Sequence, residues 1–328
     1  MKVGRRAVLV GFGATLVVSA AHAQRAPSPS RIGWLSAGSR PDPFLEGFRD
    51  GLRKLGYIEG RNVVLDIRHA QGNLERLRAE AAELAQSKVM LIVASLTAVR
   101  GAAAIKDIPI LFTISGDPVE AGFAKSLARP GGNLTGITFL SLEVAGKRVE
   151  LLTQALPRLR SLAALSNTDH PGEQSELHAT ETSAQRLGIN LLYVPFSQSP
   201  FGASPELDRA LETVRRAQPD AMVVFPEGAT LANRVSLANF AVTQRLPSMF
   251  GWSEYPDAGG LMSYGASQRE THERLASYAD KILKGARPAD LPIEQPTKFE
   301  LVLNLRTAKA IGLTIPQALL LRADRIIS

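Results

Sequence analysis

Residues 89–118, VMLIVASLTAVRGAAAIKDIPILFTISGDP, decide the fold class. An apolar run at 89–94 is followed by a short helical pattern at 99–104 and by a second apolar run at 110–114. Short continuous apolar runs are typical of strands buried on both faces, and a helix between two such runs indicates parallel strands. This stretch therefore predicts an α/β protein built on a parallel sheet.

The same alternation extends in both directions along the chain. The first series has strands at 32–36, 63–67, 89–94 and 110–114, and helices at 43–55, 74–86 and 99–104. A second series begins near Ser161, with strands at 162–165, 189–194, 221–225 and 248–250, and helices at 173–187, 205–217 and 231–244. Two successive series predict two Rossmann-like lobes with parallel sheets.

A strand at 261–264, a helix at 269–283 and a final strand at 299–303 complete the pattern. We expect these elements to return to the first lobe, so that several crossovers form a hinge. The predicted first lobe therefore spans 31–138 plus about 261–302, and the second spans about 139–260 plus 303–328.

The N-terminal segment resembles an export signal. Residues 1–23 begin with a basic segment, continue with an apolar stretch at 7–18, and end in the small-residue pattern Ala21-His22-Ala23. The apolar stretch is short for a membrane span, so a cleavable signal peptide is predicted, followed by a linker at 24–30. No cysteine follows for lipid attachment, and a protein free in the periplasm is expected. Arg5-Arg6 leaves the twin-arginine route open beside Sec export.

Composition limits the classes of function. The 328 residues are 45% apolar and contain no cysteine, which excludes a thiolate nucleophile, a Cys-ligated metal and disulfides. The net charge of +7 falls to about +4 without the three basic residues of the leader. The remaining charges form no long like-charged run and do not alternate with aromatic residues, so nucleic-acid binding is not expected.

The sequence offers no catalytic or metal-binding motif. It lacks a Gly-x-Ser-x-Gly elbow and a His-Glu-x-x-His pair, and its histidines are scattered. Asp169, His170 and Glu173 come nearest to a metal site but lack a further ligand. We expect no catalytic residues, metal or cofactor, although residues distant in sequence could still meet to form an active site.

Ligands of parallel sheets bind at the carboxyl ends of the strands. The candidate ligand-binding residues there are Ser36, Ser95, Thr97, Ser115, Asp117, Phe139, Asn167, Glu227, Trp252 and Tyr264. Each has a structural alternative: Asp117 could cap its own turn, Ser95 and Thr97 could cap a helix, and Glu227 could be solvated. The aromatic residues could belong to the core instead of contacting a ligand. Small hydroxyls, amides and carboxylates together suit a small polar or zwitterionic molecule.

Several segments resemble one known family. They are GFRDGL at 47–52, LGYIEGRN at 55–62, GDPV at 116–119, SLARPGGNLTG at 126–136, GGLMSYG at 259–265, KILKGA at 281–286 and DLPIEQPTKF at 290–299. In this order they resemble the substrate-binding proteins of ABC transporters that include tryptophan- and tyrosine-type receptors. The resemblance implies a type I periplasmic-binding-protein fold whose lobes close on a ligand.

The resemblance also implies partners and a ligand class. We expect a monomer that binds an amino acid or related compound, aromatic ones included, and delivers it to an ABC permease in the inner membrane. A sensor that presents its ligand to a chemoreceptor or kinase is the alternative, and a periplasmic enzyme is a weaker one. The chain departs from the family pattern at Thr97-Ala98, at Glu227 and at 167–173. The ligand therefore cannot be copied from a relative.

Overall fold

The computed structural model describes residues 29–38, 42–139, 142–197 and 205–328. The predicted signal peptide at 1–23 and linker residues 24–28 lie outside these ranges. The first strand begins at Ser30, which the sequence had assigned to the linker.

The first lobe contains a five-stranded parallel sheet with the strand order β2-β1-β3-β4-β5. Its elements are β1 (Ser30–Ser36), α1 (Pro43–Lys54), β2 (Val63–His69), α2 (Leu74–Gln86), β3 (Leu91–Ser95), α3 (Ala98–Ala102), β4 (Ile110–Ile114) and β5 (Leu134–Thr138). Every residue of β3 and β4 is buried, as expected for central strands covered on both faces.

The second lobe contains a seven-stranded sheet with the order β12-β11-β10-β9-β8-β6-β7. Its elements are α4 (Leu142–Ala155), β6 (Ser161–Asn167), α5 (Glu173–Arg186), β7 (Asn190–Phe196), α6 (Pro205–Ala217), β8 (Ala221–Val224), α7 (Gly228–Ala232), α8 (Arg234–Thr243), β9 (Ser248–Phe250), α9 (Glu254–Asp257), β10 (Met262–Gly265), β11 (Glu300–Asn304), α11 (Leu305–Ile311), α12 (Gln317–Leu320) and β12 (Arg325–Ile327). Only the β10–β11 pair is antiparallel within this described sheet.

Helix α10 (Gln268–Leu283) returns to the first lobe and packs against α1. Gly47 and Gly51 of α1 make this close packing possible. A Cβ built at Gly47 would lie 2.8 Å from the carbonyl oxygen of Arg269, and one at Gly51 would lie 2.4 Å from that of Glu273. The glycines of the GFRDG segment therefore let two helix backbones approach each other.

The sheet order differs from the predicted return of 261–302 to the first lobe. Only α10 and the segment after it return, whereas β10 and β11 belong to the second sheet. β10 pairs in parallel with β9, and the side chains of Met262 and Leu303 are part of the second-lobe core. A short apolar run shows that a strand is present but carries no information about which sheet it joins.

Three crossovers connect the lobes, since the chain leaves the first sheet after β5, returns after β10, and leaves again before β11. In the last crossover, Glu294 bridges to Ile137 at the edge of β5. The predicted α/β fold of two lobes with a multi-crossover hinge is therefore confirmed. Across the described ranges, no helix is long and apolar enough to cross a membrane.

Candidate functional site

The carboxyl edges of the two sheets face each other, and a small cavity lies between them. Its polar lining comes from Thr97, Arg100 and Ser115 of the first lobe and from Asn167, Asp169, His170 and Glu227 of the second. The cavity volume is about 30 Å³, close to the share of one water molecule in the liquid. An amino acid does not fit in this space, so the lobes must separate for a ligand to enter here.

Direct contacts between the lobes explain why the cavity is small. Ser115 Oγ lies 2.7 Å from His170 Nε2, and Arg100 donates a hydrogen bond to the carbonyl oxygen of Asp169. Gly116 lies so close to Pro171 that a built Cβ would be 2.0 Å from the proline carbonyl oxygen. The structure is therefore a closed arrangement of the two lobes.

His170 is held neutral in this closed arrangement. Burial lowers the pKa of its imidazole to about 4, and the nearby positive charge of Arg100 acts in the same direction. A charged imidazole would lose its hydration and would face a like charge. Closure and protonation of His170 therefore oppose each other.

Glu227 has both a structural and a site-facing role. Its carboxylate accepts hydrogen bonds from the backbone N–H groups of Ala229 and Thr230 at the start of α7. Burial raises the pKa of Glu227, while these N–H bonds and a hydrogen bond with Asn167 act against that rise. The side chain is 3% exposed and lines the cavity, so it is not the solvated surface residue of the alternative interpretation.

Thr97 also lines the cavity, and its side chain makes no capping hydrogen bond to α3. The adjacent Leu96 has a φ of 52°, a left-handed conformation that is strained for a leucine. Its side chain packs into the core cluster of the second lobe. This strained turn therefore directs an apolar side chain across the cleft.

Ser95 serves the fold of the first lobe. Its hydroxyl lies 2.8 Å from Nε2 of His272, whose Nδ1 lies 2.7 Å from the carbonyl oxygen of Gln268. That carbonyl can only accept, so Nδ1 carries the proton and Nε2 accepts from Ser95. Burial lowers the pKa of His272 to about 4. Ser95 is thus engaged with α10 and does not line the cavity.

Three further predicted residues lie outside the cavity lining. Asp117 accepts hydrogen bonds from the backbone N–H groups of Val119 and Glu120, which is the turn-capping alternative. Ser36 is half-buried at the end of β1. Tyr264 packs against Phe299, with a ring-centroid distance of 6.1 Å.

The aromatic candidates Phe139 and Trp252 contact each other edge to face, with ring centroids 5.6 Å apart. Trp252 is 2% exposed and belongs to the second-lobe core, against which Phe139 packs. Phe44 of α1 also packs against this core, although it belongs to the first lobe. Aromatic side chains from both lobes therefore pack against one core cluster.

A wider groove of about 860 Å³ also lies between the lobes. Its lining includes Asp42, Arg49, His69 and Arg269 of the first lobe and Arg234 of the second. None of the predicted ligand-binding residues lies in this lining.

The sequence prediction missed the residues that join the lobes. Arg100 lies on the exposed side of a short helix, and His170 lies in a loop that was weighed only as a weak metal site. The departure of residues 167–173 from the family pattern was the available signal. In the part of the chain that the structure describes, no group of three His, Asp or Glu side chains is placed to hold a metal ion.

Two α/β lobes that close across a hinged cleft define a ligand-binding protein of the type I periplasmic-binding fold. The chain matches the family of ABC transporter substrate binding proteins over residues 38–327 and belongs to this family. It is therefore a substrate-binding protein of an ABC transporter. Such proteins bind small molecules, interact with ABC permeases and typically work outside the cytoplasm.

One curated relative and two solved structures are similar to the chain over most of its length. A tyrosine-binding protein of Clostridioides difficile is 25% identical over 275 residues, which is 83% of this chain and 77% of the relative. The structure of an ABC domain from Streptococcus pneumoniae in complex with L-Trp has a TM-score of 0.82 and 24% identity, covering 92% of this chain and 100% of the other. A conserved domain protein of Vibrio cholerae has a TM-score of 0.82 and 26% identity, covering 91% and 100%.

Proposed function

We propose that this protein binds an aromatic amino acid in the cleft and delivers it to an ABC permease. The observation that carries the proposal is the convergence of charged and small polar groups from both lobes on one cavity, with the carboxylate of Glu227 among them. A zwitterion needs both an anion-binding and a cation-binding group. The tyrosine-binding relative and the similar structure solved with L-Trp favour the same ligand class.

The aromatic residues support an aromatic side chain on the ligand. Phe44 of the first lobe packs against the core cluster that holds Trp252 and Phe139, and a planar ligand ring can join this aromatic cluster when the lobes separate. Contacts to both lobes stabilise the closed state, which is the state that a permease can distinguish from the empty protein.

The proposal includes the finer features predicted from the sequence. The leader at 1–23 is cleaved, the mature protein works in the periplasm as a monomer, and its ligand leaves chemically unchanged. The mild and dispersed charge excess supports the absence of a nucleic-acid partner.

The test is calorimetric titration of the purified protein, freed of co-purified ligand by unfolding and refolding, with L-tryptophan, L-tyrosine, L-leucine and 4-hydroxybenzoate. We expect saturable one-to-one binding of an aromatic amino acid, with weaker binding of L-leucine, and recovery of the ligand unchanged by mass spectrometry. Binding of 4-hydroxybenzoate alone would overturn the amino-acid assignment, and conversion of the ligand would overturn the transport assignment.

A further inference from the structure

Arg148 is a buried cation that the ligand contacts described above do not use. It lies on α4 and is 5% exposed. Its Nε donates to the carbonyl oxygen of Tyr264 at 2.9 Å, and its Nη1 donates to Glu176 at 2.7 Å. Within the described ranges, Nη2 donates to no protein acceptor. Nη2 is not among the fully buried atoms that lack a partner, so it keeps some solvent-accessible area.

The position of Nη2 is set by two glycines at the carboxyl edge of the second sheet. A Cβ built at Gly251, directly after β9, would lie 3.2 Å from Nη2, and one built at Gly265, the last residue of β10, would lie 3.6 Å from it. Any side chain at these positions would compete with the guanidinium for space. The glycines therefore leave room for the cation at the strand ends.

This edge is the edge that faces the first lobe. Pro226 touches the same space, since a Cβ at Gly251 would lie 2.3 Å from the proline Cβ, and the next residue, Glu227, lines the cavity. Trp252 follows Gly251 directly. Helical side chains point back toward the helix N-terminus, and α4 begins just after the first crossover from the other lobe. Arg148 thus extends along α4 toward the cleft.

We infer that Nη2 of Arg148 binds the carboxylate of the ligand, with Glu227 opposite it as the acceptor for the ammonium group. This assignment rests on the proposed function and names the group that recognises the anionic end of the amino acid. The hydrogen bond from Nη1 to Glu176 orients the planar guanidinium of Arg148, so that Nη2 is preorganised at the strand ends. The neighbouring Trp252 then places an aromatic surface beside the bound backbone of the ligand.

The test compares two ligands that differ only at the carboxylate, L-tryptophan and L-tryptophanamide, by calorimetric titration. We expect the unmodified protein to bind the free acid more tightly than the amide. In Arg148→Lys the ratio of the two dissociation constants should fall by about 10- to 100-fold, the range for one hydrogen bond to a charged group. Glu176→Gln is the matched control, since its amide oxygen can still accept from Nη1 and hold the guanidinium while the ion pair is lost, and it should keep the preference.

If Arg148 only holds α4 against the strands, Arg148→Lys and Glu176→Gln will weaken both ligands by the same factor, and the inference is overturned. If Arg148→Lys does not fold, a crystal structure of the unmodified protein with L-tryptophan decides: a carboxylate oxygen within hydrogen-bond distance of Nη2 supports the inference, and any other position rejects it. Absence of binding by the unmodified protein to either ligand would overturn the proposed function itself.

Discussion

Ser115 of the first lobe and His170 of the second lobe share a hydrogen bond of 2.7 Å, although they lie 55 residues apart in the sequence. Together with the bond from Arg100 to the Asp169 carbonyl, this contact joins the two lobes directly. Contacts between protein groups therefore contribute to the stability of the closed state.

His170→Ala should shift the ligand-free protein toward an open state. The loss of one buried hydrogen bond corresponds to about 1 kcal/mol, or about a fivefold change in the ratio of closed to open protein. Small-angle X-ray scattering should show a larger radius of gyration than for the unmodified protein. His178→Ala, which alters an exposed histidine on α5, is the control and should leave the scattering unchanged. Identical scattering curves for His170→Ala and the unmodified protein would show that the Ser115–His170 hydrogen bond does not stabilise the closed state.

Gly116→Ala should prevent full closure. The added methyl group would lie 2.0 Å from the carbonyl oxygen of Pro171. The methyl position is fixed by the backbone of residue 116 and the oxygen belongs to the backbone, so neither can rotate away. Separation of the lobes relieves this clash, so we expect at least about tenfold weaker ligand binding with little change in the thermal midpoint. Gly132→Ala is the control, since a Cβ there meets no atom within 4 Å. Unchanged affinity would show that this contact is absent from the ligand-bound state.

Acidification should destabilise the fold through His272. Its pKa is about 4 in the folded protein because it is buried, against an ordinary value of 6.5 in the unfolded chain. The unfolded chain therefore binds the proton first, and the stabilisation present above pH 6.5 is lost as the pH falls from 6.5 to 4, by about 3 kcal/mol at most. Urea unfolding at pH 7 and pH 4.5 measures this loss.

His272→Gln should make the stability less dependent on pH in this range, although the variant is less stable at pH 7 because it loses the stacking on Phe44. The same pH slope in His272→Gln and the unmodified protein would assign the effect to other groups.

Asp117→Ala should affect stability more than binding. The carboxylate accepts two backbone N–H bonds within its own turn, and their loss costs about 1 kcal/mol. Because Asp117 does not line the cavity, the dissociation constant should stay the same within about twofold, whereas Glu227→Gln should weaken amino-acid binding at least about tenfold. A large loss of affinity in Asp117→Ala would restore the ammonium-binding role considered for it from the sequence.

The sequence predicted most of the elements because their apolar periodicity is local. The predicted helices at 74–86 and 205–217 coincide with α2 and α6. The predicted helix at 231–244 is two helices, since the capping box between Glu227 and Thr230 starts α7 earlier and Asn233 ends it. The predicted elements do not include α4, and the predicted placement of β10 and β11 in the first lobe was wrong because strand pairing depends on partners distant in sequence.

The candidate site was predictable only in part, for a physical reason. Four of the predicted residues lie at or just after the carboxyl ends of strands, namely Thr97, Ser115, Asn167 and Glu227. The carboxyl ends of parallel strands lie along one edge of the sheet, where ligands bind. The contribution of His170 depends on the closed arrangement of two lobes. Arg148 lies on a helix, and its side chain extends to the ends of the neighbouring strands. No local sequence pattern predicts this contact.

The most direct test of the account measures closure and binding together, by small-angle scattering during titration of the ligand-free protein with L-tryptophan. We expect saturable binding at one site, a fall in the radius of gyration that follows the same binding curve, and recovery of the amino acid unchanged. Binding with no change in scattering would contradict closure of the lobes on the ligand, and no binding of any aromatic amino acid would contradict the proposed substrate class.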